Sequence, residues 1–241
     1  MVASRRETTK PLDKRAILRE HPLFSGLSSE IIDRLASYAH TKTIPAGAVV
    51  FAKGDPGNSL FAVCAGTVKI SNLSTDGKGA VFNLIRPGEI FGEIALLDGQ
   101  PRTAEAVALV ESELMVIDRR DFIPLVKSQP EVALRVIEVL CARLRHTSEQ
   151  VEDVIFLDLP ARLAKTLLWL AEQAKGPAKG NTVRITQREI GQIIGTSRES
   201  TNKQLREWED RKWVRLERGG IAILAPAKLA EIASVESPDI D

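Results

Sequence analysis

Gly92, Glu93, Arg102 and Thr103 lie in one fourteen-residue segment, FGEIALLDGQPRTA, from Phe91 to Ala104. Glycine lets a backbone approach a bound group where a Cβ would collide. The Glu93 carboxylate is an acceptor suited to a sugar hydroxyl. Nine residues on, the Arg102 guanidinium presents the planar fork that pairs two-pronged with phosphate oxygens. Thr103 adds a hydroxyl and a backbone N–H. An acid for a sugar and a base for a phosphate together describe a nucleotide. The alternative is a β-hairpin whose Glu and Arg form an ordinary surface pair.

A second set of chemical groups sits near the other end. Thr186 to Glu189 has the form T-x-x-E, a capping box that opens a helix running through Ile190, Ile193 and Ile194 to Gly195. Ser197 can cap a following helix in which Thr201, Leu205 and Trp208 point inward, while Arg198, Glu199, Asn202, Lys203 and Arg206 share the outer face. Two capped helices joined by a tight Gly-Thr turn form a helix-turn-helix or, on pattern alone, a helical hairpin with a solvated face. The order of the side chains favours base reading, since arginine can donate twice to guanine and glutamate can accept from the amino group of cytosine. Phosphate repels a carboxylate, so Glu199 at the tip of a basic face suits base edges better than the backbone. KWVRLERGGIAIL then supplies two short strands around Gly219-Gly220, a wing with Trp213, Val214, Ile221 and Ile223 as its core.

The elements that must position these groups are legible in outline. From Ile17 to Tyr38, Leu27, Ile31, Ile32 and Leu35 recur at helical spacing, with Ser28 or Ser29 as N-cap. Between Thr41 and Asp118 short β-rich runs (AVVFA, LFAVCAGTVKI, AVFNLI, AVALV, ELMVI) alternate with the turns GDPGN, TDGKG and RPGE, the texture of an antiparallel sandwich or jelly roll. Asp121 to Val126 is a brief helical patch, and Pro130 opens a long helix. Ala133, Ile137, Leu140, Leu144, Thr147, Val151 and Val154 follow at alternating steps of four and three, a heptad seam. That stripe could pack on its own domain. Val132, Val136 and Val139, however, lie on an adjoining face that can do so, which leaves the seam for a second copy. Thr147 is the polar seam position and Ser148 follows it. A ligand edge could satisfy both hydroxyls, or Thr147 could bond back to its own helix with Ser148 facing solvent. Pro160 should break the helix, placing a hinge at Phe156 to Leu159. A helical run from Arg162 to Glu172 and the turning loop AKGPAKGN follow.

The length of 241 residues and 44% hydrophobic content suit two packed domains. Net charge is only +1, but residues 160–228 hold fourteen Lys and Arg against seven Asp and Glu, so the basic excess lies in the C-terminal third. Cys64 and Cys141 have no CxxC spacing and no neighbouring His, which excludes a zinc or iron–sulfur site built on them and leaves them as small core residues. No run approaches the roughly 20 apolar residues that span a bilayer, and MVASRRETTK has no apolar leader, so a soluble, cytoplasmic protein with no membrane partner is expected. The first dozen residues and the tail ESPDID read as loose.

FGEIALLDGQPRTA resembles, at nearly every position, the phosphate-binding cassette of cyclic-nucleotide-binding domains. The resemblance implies a β-roll and ligand contacts from Gly92, Glu93, Ile94, Ala95, Arg102 and Thr103. RLRHTSEQVEDVIFLDLPARLAKTLLWLA resembles the dimer helix and hinge of the CRP/FNR family, in which a Thr-Ser pair meets the adenine of cyclic AMP, the serine coming from the partner subunit. This implicates Thr147 and Ser148. ITQREIGQIIGTSRESTNKQL resembles the same family's reading module, where Arg198 and Glu199 match a base-reading pair. Thr186, Ser197, Asn202, Lys203 and Arg206 are the other DNA-contacting residues implied. Lys203 stands where a second reading arginine is usual, which weakens the case for a TGTGA-type half-site at that base.

The expected fold is therefore α+β. It has an N-terminal antiparallel β-roll binding a cyclic nucleotide (residues 17–129), a long dimerisation helix (130–157) and a C-terminal winged helix-turn-helix (160–228). The expected function is a homodimeric transcription regulator that associates through residues 133–154, binds cyclic AMP and a palindromic double-stranded DNA operator, and engages RNA polymerase. Cyclic GMP, or both nucleotides, is an alternative. In cyclic-GMP-dependent kinases a threonine beside the cassette arginine meets the guanine, and Thr103 resembles it. Ligand-free DNA binding is another. An enzyme acting on the cyclic nucleotide would need a metal cluster or a nucleophile–base pair, and His21, His40 and His146 are scattered without ligand spacing. No catalytic residue and no metal are expected.

Overall fold

The computed structural model describes residues 13–21, 24–74, 79–173 and 182–234. Expectations for the first dozen residues, for most of the TDGKG turn, for the AKGPAKGN loop and for the ESPDID tail fall outside those residues. The chain divides into two compact units, one comprising residues up to Ile70 with Leu84–Cys141, the other Ser71–Asn83 with residues from Ala142 onward.

In chain order, α1 (Lys14–Glu20) and α2 (Ser29–Tyr38) precede β1 (His40–Ile44), β2 (Val49–Phe51), β3 (Ser59–Ala65), β4 (Val68–Leu73), β5 (Gly79–Ile85) and β6 (Ile90–Phe91), the Ser71–Asn83 portion of β4 and β5 counting with the second unit. Then come α3 (Glu93–Asp98), β7 (Glu105–Ala108), β8 (Ser112–Asp118), α4 (Arg119–Ser128) and the start of α5 (Pro130–Phe156). The strands form two four-stranded sheets ordered β1-β8-β3-β6 and β2-β7-β4-β5. The central pair β3 and β8 explains why ELMVI reads as a continuous apolar run. Leu114 and Val116 point into the roll beside Phe61, Val63, Phe91 and Ala106. Met115 and Ile117, together with Leu60 and Ala62 of β3, point outward against Leu35, Phe122, Leu125, Val132 and Val136 of the helices. Both faces of that strand pair are buried, so the period-two alternation separates two cores instead of core from water.

Caps set the helix ends. Asp13 accepts from Arg15 N and Ala16 N ahead of α1, and Ser28 accepts from Ile31 N ahead of α2. Pro130 takes the first position of α5, where its missing N–H costs nothing. Along this 27-residue helix Val132 and Val136 are buried and Val139 packs against the same core, as the adjoining face requires. Of the seam positions, Ile137, Leu144, Val151 and Val154 are exposed, whereas Ala133 and Leu140 are half-buried.

The second unit continues from the C-terminal part of α5 through α6 (Leu159–Gln173), β9 (Thr182–Val183), α7 (Gln187–Ile193), α8 (Arg198–Asp210), β10 (Val214–Glu217), β11 (Gly220–Ile223) and α9 (Pro226–Ala233). A three-stranded antiparallel sheet, β10-β11-β9, carries the wing.

Within the cassette, the short helix α3 is bracketed by Gly92 and Gly99 in left-handed conformations. Three local points differ from expectation. The break after α5 is narrower than Phe156 to Leu159, because only Leu157 and Asp158 leave the helix. Asp158 Oδ1 accepts from Ala161 N, so Pro160 falls in the first turn of α6 and does not interrupt it. β9 and α9 were not anticipated. Cys141 is exposed, contrary to a core assignment, and Cys64 is partly exposed.

Candidate functional site

The cassette is pinned at both ends. Upstream, Phe91 pairs with Phe61 in the β3–β6 ladder, and their rings stack at 5.0 Å. Downstream, Arg102 N donates to Asp55 O at 2.8 Å and Gly54 N donates to Arg102 O at 2.9 Å. Between these anchors α3 is closed by Arg119 Nε, which donates to Leu96 O at 2.7 Å and satisfies one of the helix's orphan carbonyls.

Arg102 is only 5% exposed. Its Nη1 donates to Gly92 O at 2.6 Å, its Nη2 to Ser59 O at 2.7 Å, and its guanidinium lies 4.2 Å from the centre of the Phe51 ring. Among the described residues it makes no ion pair, and its Nε has no hydrogen-bond partner. Burial pushes its pKa below the usual arginine value, while Glu93 and Asp55 act the other way. Glu93 and Ala95 are buried, whereas Ile94 and Thr103 face solvent. Gly92 has φ of +80°, and a Cβ there would meet Arg102 Nη1 at 2.6 Å. Its glycine requirement is therefore already explained by the packing of Arg102. The sequence did not single out Ser59, Phe51, Gly54 or Asp55, which hold Arg102 from 43 to 51 residues away; no local signal marks partners at that separation.

Thr147 and Ser148 lie on α5 in the second unit, both exposed. The back-bonding hydroxyl is that of Ser148, which donates to Leu144 O at 3.0 Å.

The helix-turn-helix forms as its caps require. Thr186 Oγ1 accepts from Glu189 N at 3.2 Å while Glu189 Oε2 accepts from Thr186 N at 2.9 Å, a complete capping box. Ser197 Oγ accepts from Ser200 N at 3.1 Å. In the turn, Thr196 N donates to Gly191 O at 2.8 Å. A Cβ on Gly191 would lie 3.0 Å from Thr201 Oγ1, so α7 and α8 approach closely at that point. Thr201, Leu205 and Trp208 are buried beneath α8. Arg198, Glu199, Lys203 and Arg206 are exposed on its outer face, with Asn202 half-buried. Among the described residues those four make no ion pair. Two ties hold α8 to the wing: Trp213 N donates to Trp208 O at 2.8 Å, and Leu216 N donates to Glu209 Oε1 at 2.8 Å. Arg198 also lines a concavity with Thr186, Gln187 and Arg188 at the start of α7 and with Gly219 and Gly220 of the wing. Arg188 and Gln187 were not singled out in the sequence, although their place in the first turn behind a capping box was a signal.

No group of His, Cys, Asp and Glu among the described residues could hold a metal ion, and no described helix is long and apolar enough to cross a membrane.

Residues 41–129 match the family model of the cyclic nucleotide-binding domain, and residues 161–232 match that of the Crp-like helix-turn-helix domain. The chain is 35% identical over 221 residues to a CRP-like cAMP-activated global transcriptional regulator of Mycobacterium tuberculosis, covering 90% of this chain and 98% of that one. It is 34% identical over 216 residues to the cyclic AMP receptor protein of Thermus thermophilus, again covering 90% and 98%. A crystal structure of a CRP/FNR-family transcriptional regulator, also from Thermus thermophilus, aligns with a TM-score of 0.71 at 26% identity, covering 82% of this chain and all of that one.

Proposed function

This chain belongs to the CRP/FNR family of transcription regulators, and from that premise we propose that it is a homodimer that binds cyclic AMP and, in response, a palindromic operator. It is a DNA-binding regulator with a cyclic-nucleotide-binding domain, and family membership sets aside the reading as an enzyme acting on the nucleotide.

The observation that carries the ligand reading is Arg102, a buried guanidinium whose partners are neutral carbonyls and a ring face. A buried guanidinium hydrogen-bonded only to neutral carbonyls, with the Glu93 and Asp55 charges merely nearby, can gain from a phosphate, which supplies charge-assisted bonds in two-pronged geometry. In this reading Arg102 leaves its carbonyls for the cyclic phosphate, and Glu93 accepts from the ribose hydroxyl. Gly92, Ile94, Ala95 and Thr103 line the remainder of the nucleotide site. Thr147 of one copy and Ser148 of the other meet the adenine. Two copies associate through α5 within residues 133–154, and the three functional regions are residues 17–129, 130–157 and 160–228.

On the operator, Arg198 and Glu199 read base edges, and Asn202, Lys203 and Arg206 extend the contact along the reading helix. Thr186 and Ser197 sit at helix N-termini suited to phosphates, and Arg188 adds a cation there. RNA polymerase is the partner that such a regulator would engage once seated on DNA.

Cyclic GMP is the second reading, favoured by Thr103, which faces solvent directly beside Arg102. Calorimetric titration of the wild type, Thr147→Ala and Thr103→Ala with both nucleotides separates the two. Cyclic AMP as ligand predicts that Thr147→Ala weakens cyclic AMP binding and ligand-dependent DNA affinity. Cyclic GMP as ligand predicts that Thr103→Ala mainly weakens cyclic GMP binding. Equal affinities for both nucleotides in all three proteins would remove the basis for preferring either.

A further inference from the structure

The C-terminal part of α5 forms, with α6 and α7, a cleft that contains none of the residues assigned to the nucleotide or the operator. On α6, Arg162, Lys165, Thr166 and Trp169 fall at i, i+3, i+4 and i+7, so they share one side of the helix. On α5, His146, Gln150, Asp153 and Val154 recur at similar steps, and Ile193 and Ile194 of α7 complete the lining. All of these residues belong to the second unit. The cleft measures about 580 Å³ including the space open to solvent, which is room for a molecule of one ring and a short arm.

Two kinds of surface meet in it. The His146 and Trp169 rings stack, with centroids 5.3 Å apart and planes inclined by 21°, and together with the isoleucines they make an apolar, aromatic wall. Beside that wall stand two cations in different circumstances. Lys165 Nζ is paired with Asp153 Oδ1. Arg162 is half-buried, its Nη1 donates only to Val154 O at a long 3.5 Å, and among the described residues it makes no ion pair. Arg162 Nε and His146 Nε2 are both buried atoms with no hydrogen-bond partner. Buried polar atoms are ordinarily satisfied, so two bare ones lining the same cleft call for an acceptor from outside the chain. Arg162 Nε–H can only donate, and the imidazole can do so in its Nε2–H tautomer.

We propose that this cleft binds a small aromatic carboxylate. Its ring lies against Trp169 and the isoleucines, and its carboxylate accepts from Arg162 Nε and His146 Nε2. A neutral amide of the same shape forfeits the charge-assisted bond, and an ammonium group is repelled by the unpaired guanidinium. Glu149 also lines the cleft, but it is exposed, and water and salt screen its repulsion of an anion.

The test uses the full chain labelled with nitrogen-15 and follows its three tryptophan indole signals, the one from Trp169 being assigned with Trp169→Phe. Phenylacetate should shift that signal saturably, with half-saturation below about 1 mM. Phenylacetamide should bind at least tenfold more weakly, and phenylethylamine should leave the signal in place. Arg162→Gln should lower phenylacetate affinity at least tenfold while its cyclic AMP affinity, measured by calorimetry, stays within twofold of wild type. Arg102→Ala should bind phenylacetate as wild type does. A Trp169 signal that stays still in phenylacetate, equal affinities for acid and amide, or unchanged binding in Arg162→Gln overturns the proposal. Loss of phenylacetate binding in Arg102→Ala places the anion in the cassette and overturns it too. The comparison of acid with amide needs only the wild type, so it decides the matter even where a variant fails to fold.

Discussion

Replacing Arg102 with alanine should separate the role it plays in the β-roll from the role in nucleotide binding proposed for it. The guanidinium bridges Gly92 O and Ser59 O, so its loss leaves two carbonyls without that donor. An unmet buried acceptor costs about 1 to 3 kcal/mol, but water can follow the truncated side chain, and removing a desolvated guanidinium works in the opposite direction. The expected loss in unfolding free energy is therefore about 1 to 2 kcal/mol, read from urea midpoints at constant slope. Binding should suffer more. Two charge-assisted bonds to a phosphate are worth about 3 to 6 kcal/mol, from which the two carbonyl bonds given up must be deducted, leaving about 2 to 3 kcal/mol. Calorimetry should accordingly find cyclic AMP binding weakened by about 30- to 150-fold, with Arg102→Lys intermediate because it keeps the charge and loses the fork. If Arg102→Ala falls in stability while its nucleotide affinity stays within threefold of wild type, Arg102 is a strut of the β-roll and not the phosphate anchor.

Burial holds the His21 imidazole at about 4, against 6.5 for an ordinary histidine, with the Glu89 backbone hydrogen bond opposing the shift. Folding thus favours the neutral ring, so the contribution is complete above pH 6.5 and is lost as pH falls from 6.5 towards 4, by about 3 kcal/mol in all. Unfolding at about pH 7.5 and about pH 4.5 should show that slope in wild type and a smaller one in His21→Leu; parallel slopes would refute it. Arg198→Ala and Glu199→Ala should each relax base preference at one position of the half-site by about 1 to 3 kcal/mol, whereas Lys203→Ala should weaken binding more evenly if it meets phosphate. A selection that returns an unchanged consensus for Arg198→Ala would count against base reading. Thr186→Ala removes the Oγ1 of the capping box and should cost about 1 kcal/mol, visible as an earlier urea midpoint.

Where chemistry is local, the sequence was sufficient. Thr186 with Glu189, Ser197 and Pro130 each fix a helix start through groups within four residues, and all three starts lie where expected. Alternation in β3 and β8 likewise announced strands, although only the structure shows that both faces are buried. α3 escaped because a six-residue helix capped by glycine at both ends has the composition of a turn. β9 escaped because two residues carry no period, and it exists only through its pairing with β11. Pro226 and Asp158 were readable signals of helix starts that went unused. The carbonyl partners of Arg102 were not readable at all, since Ser59 reaches it across 43 residues of chain.

The two bonds that fasten the end of α8 to the wing, from Trp213 N to Trp208 O and from Leu216 N to Glu209 Oε1, bear on the thermodynamics of operator recognition. With Trp208 and Leu205 locked beneath it, the reading helix is fully ordered before any DNA arrives. Association then carries no entropic charge for folding the reading element, and only side chains such as Arg198 and Lys203 lose freedom. The heat-capacity change on binding should match the surface buried at the contact, without the excess that marks coupled folding. A ligand that alters operator affinity must therefore act on where this rigid module is carried and not on whether it is formed.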